Sequence, residues 1–233
     1  MLRRPLVLGH RGASAVAPEN TVAAFARARE LGADGVELDV RRSVDGVLMV
    51  HHDAEIPDLG ALGARTYAEI RDARPSVPTL EEALHACRGM VVNAEVKCLP
   101  WEVDADRDGS VMRAAIDLLA GHDAELIVSS FDLGAIDLAH EYAPHVTTGW
   151  LTHGQEVGAA ARVAADHHHQ WLNPDVRAAL SAGGEGIDAT HAAGLLVSVW
   201  TVDDPDDVRA LVAAGADIII SNLPDVVIGA LGG

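Results

Sequence analysis

The sequence predicts an α/β fold, a (β/α)8 TIM barrel with a hairpin and a small insertion after the second strand. Short runs rich in β-branched residues alternate with Ala-rich runs along the whole chain, which is the pattern of parallel strands joined by helices. Eight such pairs occur, and eight pairs close a barrel. The 233 residues also suit one barrel, so we expect a single domain over residues 1–233.

Each predicted strand is followed by a predicted helix. The strands are expected at residues 6–9, 36–40, 91–97, 126–130, 147–151, 170–173, 195–201 and 217–221. The helices are expected at residues 20–31, 79–87, 107–120, 133–142, 155–164, 175–193, 204–214 and 224–231. Gly183-Gly184 predicts a break in the sixth helix. An open doubly wound sheet is the alternative, but the sequence lacks the Gly-rich dinucleotide-binding fingerprint typical of that fold.

Two segments after the second strand fall outside this alternation. Residues 47–50 form an extended run joined to the second strand by Asp45-Gly46, a pair typical of a tight hairpin turn, so we expect an antiparallel excursion. Residues 53–78 are rich in turn-forming residues and are expected to be a loop or small insertion within the domain. The turn formers are Pro57, Gly60, Gly63, Pro75 and Pro78.

Composition and charge exclude several classes of partner. Apolar residues make up 49% of the chain and charged residues 22%, as in a globular protein with a full core. The net charge of −18 repels polyanions, so we expect no nucleic-acid partner and no stable membrane association. A small-molecule substrate that is itself anionic requires local cations or a metal ion. The sequence leaves a homodimer open.

Cysteine content and hydropathy give the expected location. Cys87 and Cys98 have neither the number nor the spacing of a disulfide framework or a zinc site. The apolar run near the N-terminus is too short for a signal peptide, and no stretch is long and apolar enough to span a bilayer. We therefore expect a cytoplasmic protein.

Charged residues gather where the first predicted strands end. Active sites of such barrels lie at the C-terminal ends of the strands. Charged side chains are disfavoured in a hydrophobic core, so their presence at these ends indicates a site. The groups concerned are His10 and Arg11, Glu37 and Asp39, His51 to Asp53 after the hairpin run, and Glu95 and Lys97.

Three of these side chains form a candidate metal site. Strand side chains alternate faces, so Glu37 and Asp39 point the same way, as do Glu95 and Lys97. Carboxylates that point into a barrel repel one another, and a divalent cation would resolve this. Oxygen ligands without Cys or clustered His favour Mg²⁺ or Ca²⁺ over zinc. The sequence therefore predicts one divalent cation held by Glu37, Asp39 and Glu95.

Structural ion pairs are the alternative explanation of the same carboxylates. Glu37 would then pair with Arg41 or Arg42, and Glu95 with Lys97. The coincidence of three carboxylates at matching strand ends favours the metal site.

The neighbouring basic residues suit phosphate chemistry. The Arg11 guanidinium matches phosphate oxygens, and Lys97 offers a point charge. His10 and His52 are candidates for a general acid and a general base, because histidine titrates near neutral pH. The alternatives are a surface role for Arg11 and structural roles for the histidines.

Other features give weaker signals. His51 should face away from His52 and is expected to be structural. The run 167–169, three histidines, is expected to be a solvated helix end, with a metal-binding role as the weaker alternative. Trp200 is expected to wall the substrate pocket, with a core role as the alternative. Asn173 and Asn222, at strand ends, are expected to line the site.

These residues resemble a known family, the glycerophosphodiester phosphodiesterases. The resemblance lies in a series of motifs in the family's order and covers nearly the whole chain. The motifs are His10-Arg11-Gly12, Pro18-Glu19-Asn20-Thr21, Glu37-Leu38-Asp39-Val40, Asp45-Gly46, Val50-His51-His52-Asp53, Pro78-Thr79-Leu80-Glu81-Glu82, Asn93-Ala94-Glu95-Val96-Lys97, Ser130-Phe131, Trp200-Thr201-Val202 and Ser221-Asn222-Leu223-Pro224.

The resemblance implies hydrolysis of glycerophosphodiesters to an alcohol and sn-glycerol 3-phosphate. It implies metal ligands at Glu37, Asp39 and Glu95, with catalytic histidines at His10 and His52. It also implies phosphate contacts from Arg11 and Lys97. The alternatives are a phospholipase D-type activity on lysophospholipids, a sugar-phosphate isomerase or lyase on the same fold, and a non-catalytic ligand-binding barrel.

Overall fold

A computed structural model describes residues 4–121 and 125–232. In chain order the strands are β1 (Leu6–His10), β2 (Gly35–Arg42), β3 (Leu48–Val50), β4 (Glu55–Ile56), β5 (Gly60–Ala61), β6 (Val91–Val96), β7 (Leu126–Ser130), β8 (Thr147–Thr152), β9 (Trp171–Pro174), β10 (Leu196–Val199) and β11 (Ile218–Ser221). Strands β1, β2 and β6 to β11 pair in parallel, and β1 pairs with both β2 and β11. The sheet is therefore a closed eight-stranded barrel, as the sequence predicts.

Helices surround this barrel and follow its strands. They are α1 (Val22–Glu30), α2 (Tyr67–Ala73), α3 (Leu80–Ala86), α4 (Ser110–Leu119), α5 (Leu133–Tyr142), α6 (Val157–Asp166), α7 (Val176–Ala192), α8 (Pro205–Ala214) and α9 (Pro224–Leu231). The predicted break in α7 is confirmed, because Gly183 has a positive φ of 57° inside it. Within the described ranges, no helix is both long and apolar enough to cross a membrane.

The predicted hairpin is confirmed. Strand β3 pairs antiparallel with β2, with Val40 opposite Val50. The segment 53–78 is more ordered than its turn-forming residues indicate, since it holds the β4–β5 ribbon, a 3-10 turn at Leu62–Ala64, and α2. Thr66 and Glu69 cap α2 through reciprocal hydrogen bonds, and this Thr-x-x-Glu spacing is a sequence signal for a helix start that the Pro and Gly content obscures.

Alternation along the strands divides buried side chains between two faces. Val36, Leu38 and Val40 of β2 are fully buried in the core between sheet and helices. The side chains between them, Glu37 and Asp39, lie on the other face and therefore point into the barrel. Apolar residues fill the barrel interior elsewhere, among them Leu8, Ile127, Trp171, Ile218 and Ile220. The charged residues thus lie inside one end of the barrel, beyond this apolar cluster.

Candidate active site

Strand register brings the three predicted metal-binding carboxylates together. In the β1–β2 pairing His10 stands opposite Glu37, and in the β2–β6 pairing Asp39 stands opposite Glu95. One carboxylate oxygen from each of Glu37, Asp39 and Glu95 lies within 4.8 Å of the others. All three side chains are buried, with residue exposures of 5%, 1% and 7%.

The donor set fits a hard divalent cation. All three residues offer oxygen, which is the ligand that Mg²⁺ and Ca²⁺ prefer. Asp39 Oδ1 is buried and accepts no hydrogen bond of good geometry from the described residues, although Lys97 Nζ lies 2.9 Å away. Two cationic side chains, Arg11 and Lys97, face three carboxylates, so a further positive charge would bring the cluster closer to balance.

Lys97 and Arg11 lie on opposite sides of Asp39. Lys97 Nζ is 2.9 Å from Asp39 Oδ1 and 2.5 Å from Glu95 Oε1. Arg11 Nε is 3.3 Å from Asp39 Oδ2, and its Nη1 donates to Glu19 at 3.0 Å. The alternative pairing of Glu95 with Lys97 is therefore present, and in this arrangement Lys97 also holds the carboxylate cluster together. Glu37 pairs with neither Arg41 nor Arg42 in the described structure.

The turn after β1 is what presents Arg11 to the cluster. Arg11 and Gly12 both have left-handed backbones, with φ of 54° and 82°. A Cβ on Gly12 would lie 2.6 Å from the Ala24 carbonyl carbon, so only glycine permits this approach to α1. In the same turn the Arg11 backbone N–H donates to Glu37 Oε2 at 3.0 Å. A strained turn beside a pocket is typical of functional sites.

His10 lies at the wall of the pocket with a fixed orientation. Its Nδ1 is 2.7 Å from Asn222 Oδ1, and Asn222 Nδ2 donates to Asp203 at 2.7 Å, which sets which end of the amide faces the ring. His10 Nδ1 therefore carries the proton and donates it, and Nε2, 3.9 Å from Glu37 Oε2, is left facing the carboxylates. Asn222 acts here by orienting His10 and does not line the cavity.

His52 also lines the cavity and is held by Asp53, its neighbour in sequence, and by Arg41 of β2. Its Nδ1 is 2.8 Å from Asp53 Oδ1, and its carbonyl accepts a hydrogen bond from Arg41 Nε at 2.8 Å. Arg41, whose side chain is only 1% exposed, also pairs with Glu102 at 2.9 Å and Asp104 at 2.7 Å. Arg41 thus ties the backbone of His52 to the loop after β6. The sequence indicates Arg41 only as a partner for Glu37, although its place two residues beyond Asp39 on β2 puts it on the same inward face.

We expect Arg41→Ala to lower the free energy of unfolding by about 3 kcal/mol, because it leaves the buried carboxylate of Asp104 without its partner. Urea unfolding followed by circular dichroism measures this. Arg42→Ala is the matched control: Arg42 is partly exposed and donates to Ser110 Oγ at 2.8 Å, so its loss should cost less than about 1 kcal/mol. Equal losses in the two variants would contradict the role assigned to Arg41.

The site opens into a cavity of about 220 Å³ at the C-terminal end of the barrel. Its lining joins the predicted groups to apolar residues: His10, Arg11, Glu37, His52, Asn93, Glu95, Lys97, Phe131, Leu151, Trp200 and Ile220. Trp200 walls the cavity and meets Phe131 edge to face, with 5.4 Å between ring centroids. Asn173 is fully buried and lies outside this lining, contrary to expectation. Leu151 and Ile220 give no sequence signal beyond their places near strand ends.

Burial sets the charge states of the cluster. Burial raises the pKa of Glu37 to about 8, helped by the Asp39 charge, and raises the pKa of Glu95 to about 7 against the opposing effect of Lys97. Burial would also raise the pKa of Asp39, but the charges of Lys97 and Arg11 outweigh it and hold that pKa well below its usual range. Protons therefore compete with a cation for two of the three carboxylates near neutral pH.

We expect the affinity for Mg²⁺ or Ca²⁺ to rise between pH 6 and pH 9. The cation needs ionised ligands, and the raised pKa values of Glu37 and Glu95 keep them protonated below about pH 7 to 8. Each displaced proton adds up to about tenfold in affinity per pH unit. Calorimetric titration at several pH values measures this. Glu37→Gln should flatten the dependence, and an affinity independent of pH in the unmodified protein would contradict the raised pKa values.

Burial also governs the two histidines. Burial lowers the pKa of His10, and the nearby Arg11 charge lowers it further. Burial and the Lys97 charge lower the pKa of His52, with Asp39 and the Asp53 hydrogen bond acting in the opposite direction. His51 faces away from this cavity, with its Nδ1 3.0 Å from the Asp53 carbonyl oxygen.

Comparisons with known proteins give matches over nearly the whole chain. The model of the glycerophosphoryl diester phosphodiesterase family matches residues 10–226. A glycerophosphodiester phosphodiesterase of Caldanaerobacter subterraneus subsp. tengcongensis is 30% identical over 252 aligned positions, covering 97% of each chain.

Solved structures share the same fold over nearly the full length. A putative glycerophosphoryl diester phosphodiesterase from Silicibacter pomeroyi superposes with a TM-score of 0.86 at 25% identity, covering 98% of this chain and 93% of its own. A phosphodiesterase from Oleispira antarctica, in complex with the product sn-glycerol-3-phosphate, has a TM-score of 0.85 at 25% identity and covers 99% and 98%.

Proposed function

Because the chain belongs to the glycerophosphoryl diester phosphodiesterase family, we propose that it hydrolyses glycerophosphodiesters to an alcohol and sn-glycerol 3-phosphate. The observation that carries the proposal is the convergence of two cationic side chains, two histidines and the Glu37–Asp39–Glu95 cluster at one cavity, which Glu37 and Glu95 line. The bound product in the Oleispira antarctica phosphodiesterase supports the same substrate class.

The acidic residues bind one divalent cation, Mg²⁺ or Ca²⁺. Glu37, Asp39 and Glu95 would hold it through their clustered oxygens. Such an ion supplies Lewis-acid charge stabilisation at a phosphoryl oxygen and orients the substrate.

The basic residues stabilise the phosphoryl group. Arg11 presents its fork beside Asp39, where it can donate to two phosphate oxygens, and Lys97 adds a point charge. Negative charge grows on these oxygens as the nucleophile attacks, so donors fixed in advance lower the barrier. Trp200 and Phe131 form an apolar wall that excludes water and strengthens these interactions.

The two histidines divide the proton transfers. His10 donates through Nδ1 to a neutral amide, and its lowered pKa leaves Nε2 unprotonated at neutral pH, so it acts as the general base. Burial and the Lys97 charge lower the pKa of His52, but the Asp53 carboxylate opposes this fall and fixes the Nδ1 proton, so we assign His52 the role of general acid at the leaving alcohol. The nucleophile is water or the substrate's own glycerol hydroxyl. The second route passes through a cyclic phosphate that ³¹P NMR detects.

Release of glycerol 3-phosphate from a panel of glycerophosphodiesters, with and without a chelator, tests the proposal. We expect release that stops on chelation and returns with Mg²⁺ or Ca²⁺. Unchanged release in chelator would remove the cation from the mechanism. Assaying glycerophosphocholine beside lysophosphatidylcholine separates this activity from a phospholipase D-type activity. If no alcohol is released from any glycerophosphodiester, the proposed reaction class is wrong. An isomerase, a lyase or a non-catalytic barrel would give that result.

A further inference from the structure

A second cluster of metal-ligating side chains lies outside the cavity. Asp137 on α5 meets His167 and His169 of the segment between α6 and β9, a segment at the N-terminal end of the barrel strands and so opposite the cavity. The sequence predicted a solvated helix end here. That prediction is wrong for His169, which is 4% exposed, whereas His167 is exposed as predicted.

One carboxylate connects the two imidazoles. His167 Nδ1 lies 2.9 Å from Asp137 Oδ1, and His169 Nε2 lies 3.1 Å from the same oxygen. One ligand atom from each residue lies within 4.8 Å of the others. Ligand atoms around a tetrahedral Zn²⁺ are about 3.3 Å apart, so only a small adjustment would place all three on one ion.

The far side of His169 is held as in a metal-ligating histidine. Its Nδ1 is 2.9 Å from Thr148 Oγ1. Gln170 Nε2 donates to the His168 carbonyl, so Gln170 Oε1 faces Thr148 and accepts from both its N–H and its hydroxyl. With its hydroxyl proton engaged there, Thr148 accepts from His169 Nδ1–H.

This chain of hydrogen bonds leaves the lone pair of His169 Nε2 facing the Asp137 carboxylate. Two electron-rich atoms at 3.1 Å repel unless a cation lies between them. An ion held at this position would bind both His169 Nε2 and Asp137 Oδ1.

We propose that Asp137, His167 and His169 bind a transition-metal ion of the Zn²⁺ class, at a site separate from the carboxylate cluster of the cavity. Two imidazoles and one carboxylate select Zn²⁺, Co²⁺ or Ni²⁺ over Mg²⁺ or Ca²⁺. His140 follows Asp137 by one helical turn on α5, and its buried Nδ1 has no hydrogen-bond partner among the described residues, which leaves a nitrogen beside the site. The ion would fasten α5 to the segment that leads into β9.

Counting bound Zn²⁺ tests the proposal. The unmodified protein is titrated with Zn²⁺ against a chromophoric chelator, with Ca²⁺ in excess, and the same titration is run on Asp137→Asn and His167→Ala. We expect each variant to bind one equivalent of Zn²⁺ fewer than the unmodified protein. Any Zn²⁺ bound in the cavity is common to all three proteins and does not change this difference. Substitution with Co²⁺ should give visible absorption bands of imidazole coordination that are absent from both variants.

Two further variants make the outcome decisive. Thr148→Val keeps the side-chain shape but removes the partner of His169, so it should lower the Zn²⁺ affinity of this site by about 10- to 100-fold without abolishing it. His191→Ala is the matched control. His191 also lies beside a carboxylate, 2.8 Å from Asp217, but it belongs neither to the Asp137 cluster nor to the cavity cluster of the described residues. The proposal is overturned if Asp137→Asn and His167→Ala bind as many equivalents as the unmodified protein, or if His191→Ala loses the same equivalent.

Discussion

Replacing either His10 or His52 by alanine should lower kcat by at least about 100-fold, the usual effect of removing a general acid or base. Each ring lies in the cavity wall with one nitrogen held by a fixed partner, Asn222 for His10 and Asp53 for His52. The other nitrogen is then oriented for proton transfer. Steady-state kinetics with a glycerophosphodiester measures the effect.

His51→Ala is the matched control for this series. It removes the same side chain one position from His52, but its ring contacts the Asp53 carbonyl and lies outside the cavity lining. We expect its kcat to stay within a few-fold of the unmodified protein. A substrate whose leaving group needs no proton separates the two roles. On the p-nitrophenyl ester of glycerol phosphate, His52→Ala should recover activity because no general acid is needed, whereas His10→Ala should remain impaired. The reverse pattern would exchange the base and the acid.

Glu37→Gln should lower kcat/KM by at least about 1,000-fold, because an amide is a far weaker ligand for Mg²⁺ or Ca²⁺ than a carboxylate and the Lewis acid contributes several kcal/mol. The same change should leave the metal-free protein as stable as before at pH 4 and make it more stable at pH 9. Glutamine resembles the protonated Glu37 that burial favours.

The sign of this stability change follows from linkage. The folded pKa of Glu37, about 8, is above its unfolded value, so its contribution to stability is fully present below the unfolded pKa and is lost as the pH rises through 8. Thermal unfolding in chelator at the two pH values measures the difference. Glu55→Gln changes an exposed carboxylate of β4 outside the cavity lining; it is the control and should change neither activity nor pH dependence. A destabilised Glu37→Gln protein at pH 9 would contradict the raised pKa.

The barrel could be predicted because its signals are local and repeated. Strand and helix periodicity recur eight times, and the alternation that buries Leu38 against the helices also turns Glu37 and Asp39 inward. Helix α2 was missed because the turn formers around it outweigh a single capping motif at Thr66 and Glu69. Local patterns thus predict the strands and helices of the barrel better than they predict where each element ends or where a short helix is inserted.

The site was predictable as a set of residues but not as a network. Adjacent strand ends place Glu37 and Glu95 together whatever their neighbours are. The partners that orient them are distant in sequence, such as Asn222 beside His10, 212 residues away, and the pairs that Arg41 forms with Glu102 and Asp104. Such contacts depend on how loops close over the barrel, which no short-range pattern encodes.

The dimensions of the cavity set what the protein can recognise. Pockets that enclose drug-sized molecules occupy about 300–1,000 Å³, whereas this one has about 220 Å³. We therefore expect the cavity to hold a glycerol moiety and its phosphate, with the esterified alcohol in solvent. Recognition would then depend on the half of the molecule that all glycerophosphodiesters share, and we expect different head groups to be hydrolysed at comparable rates.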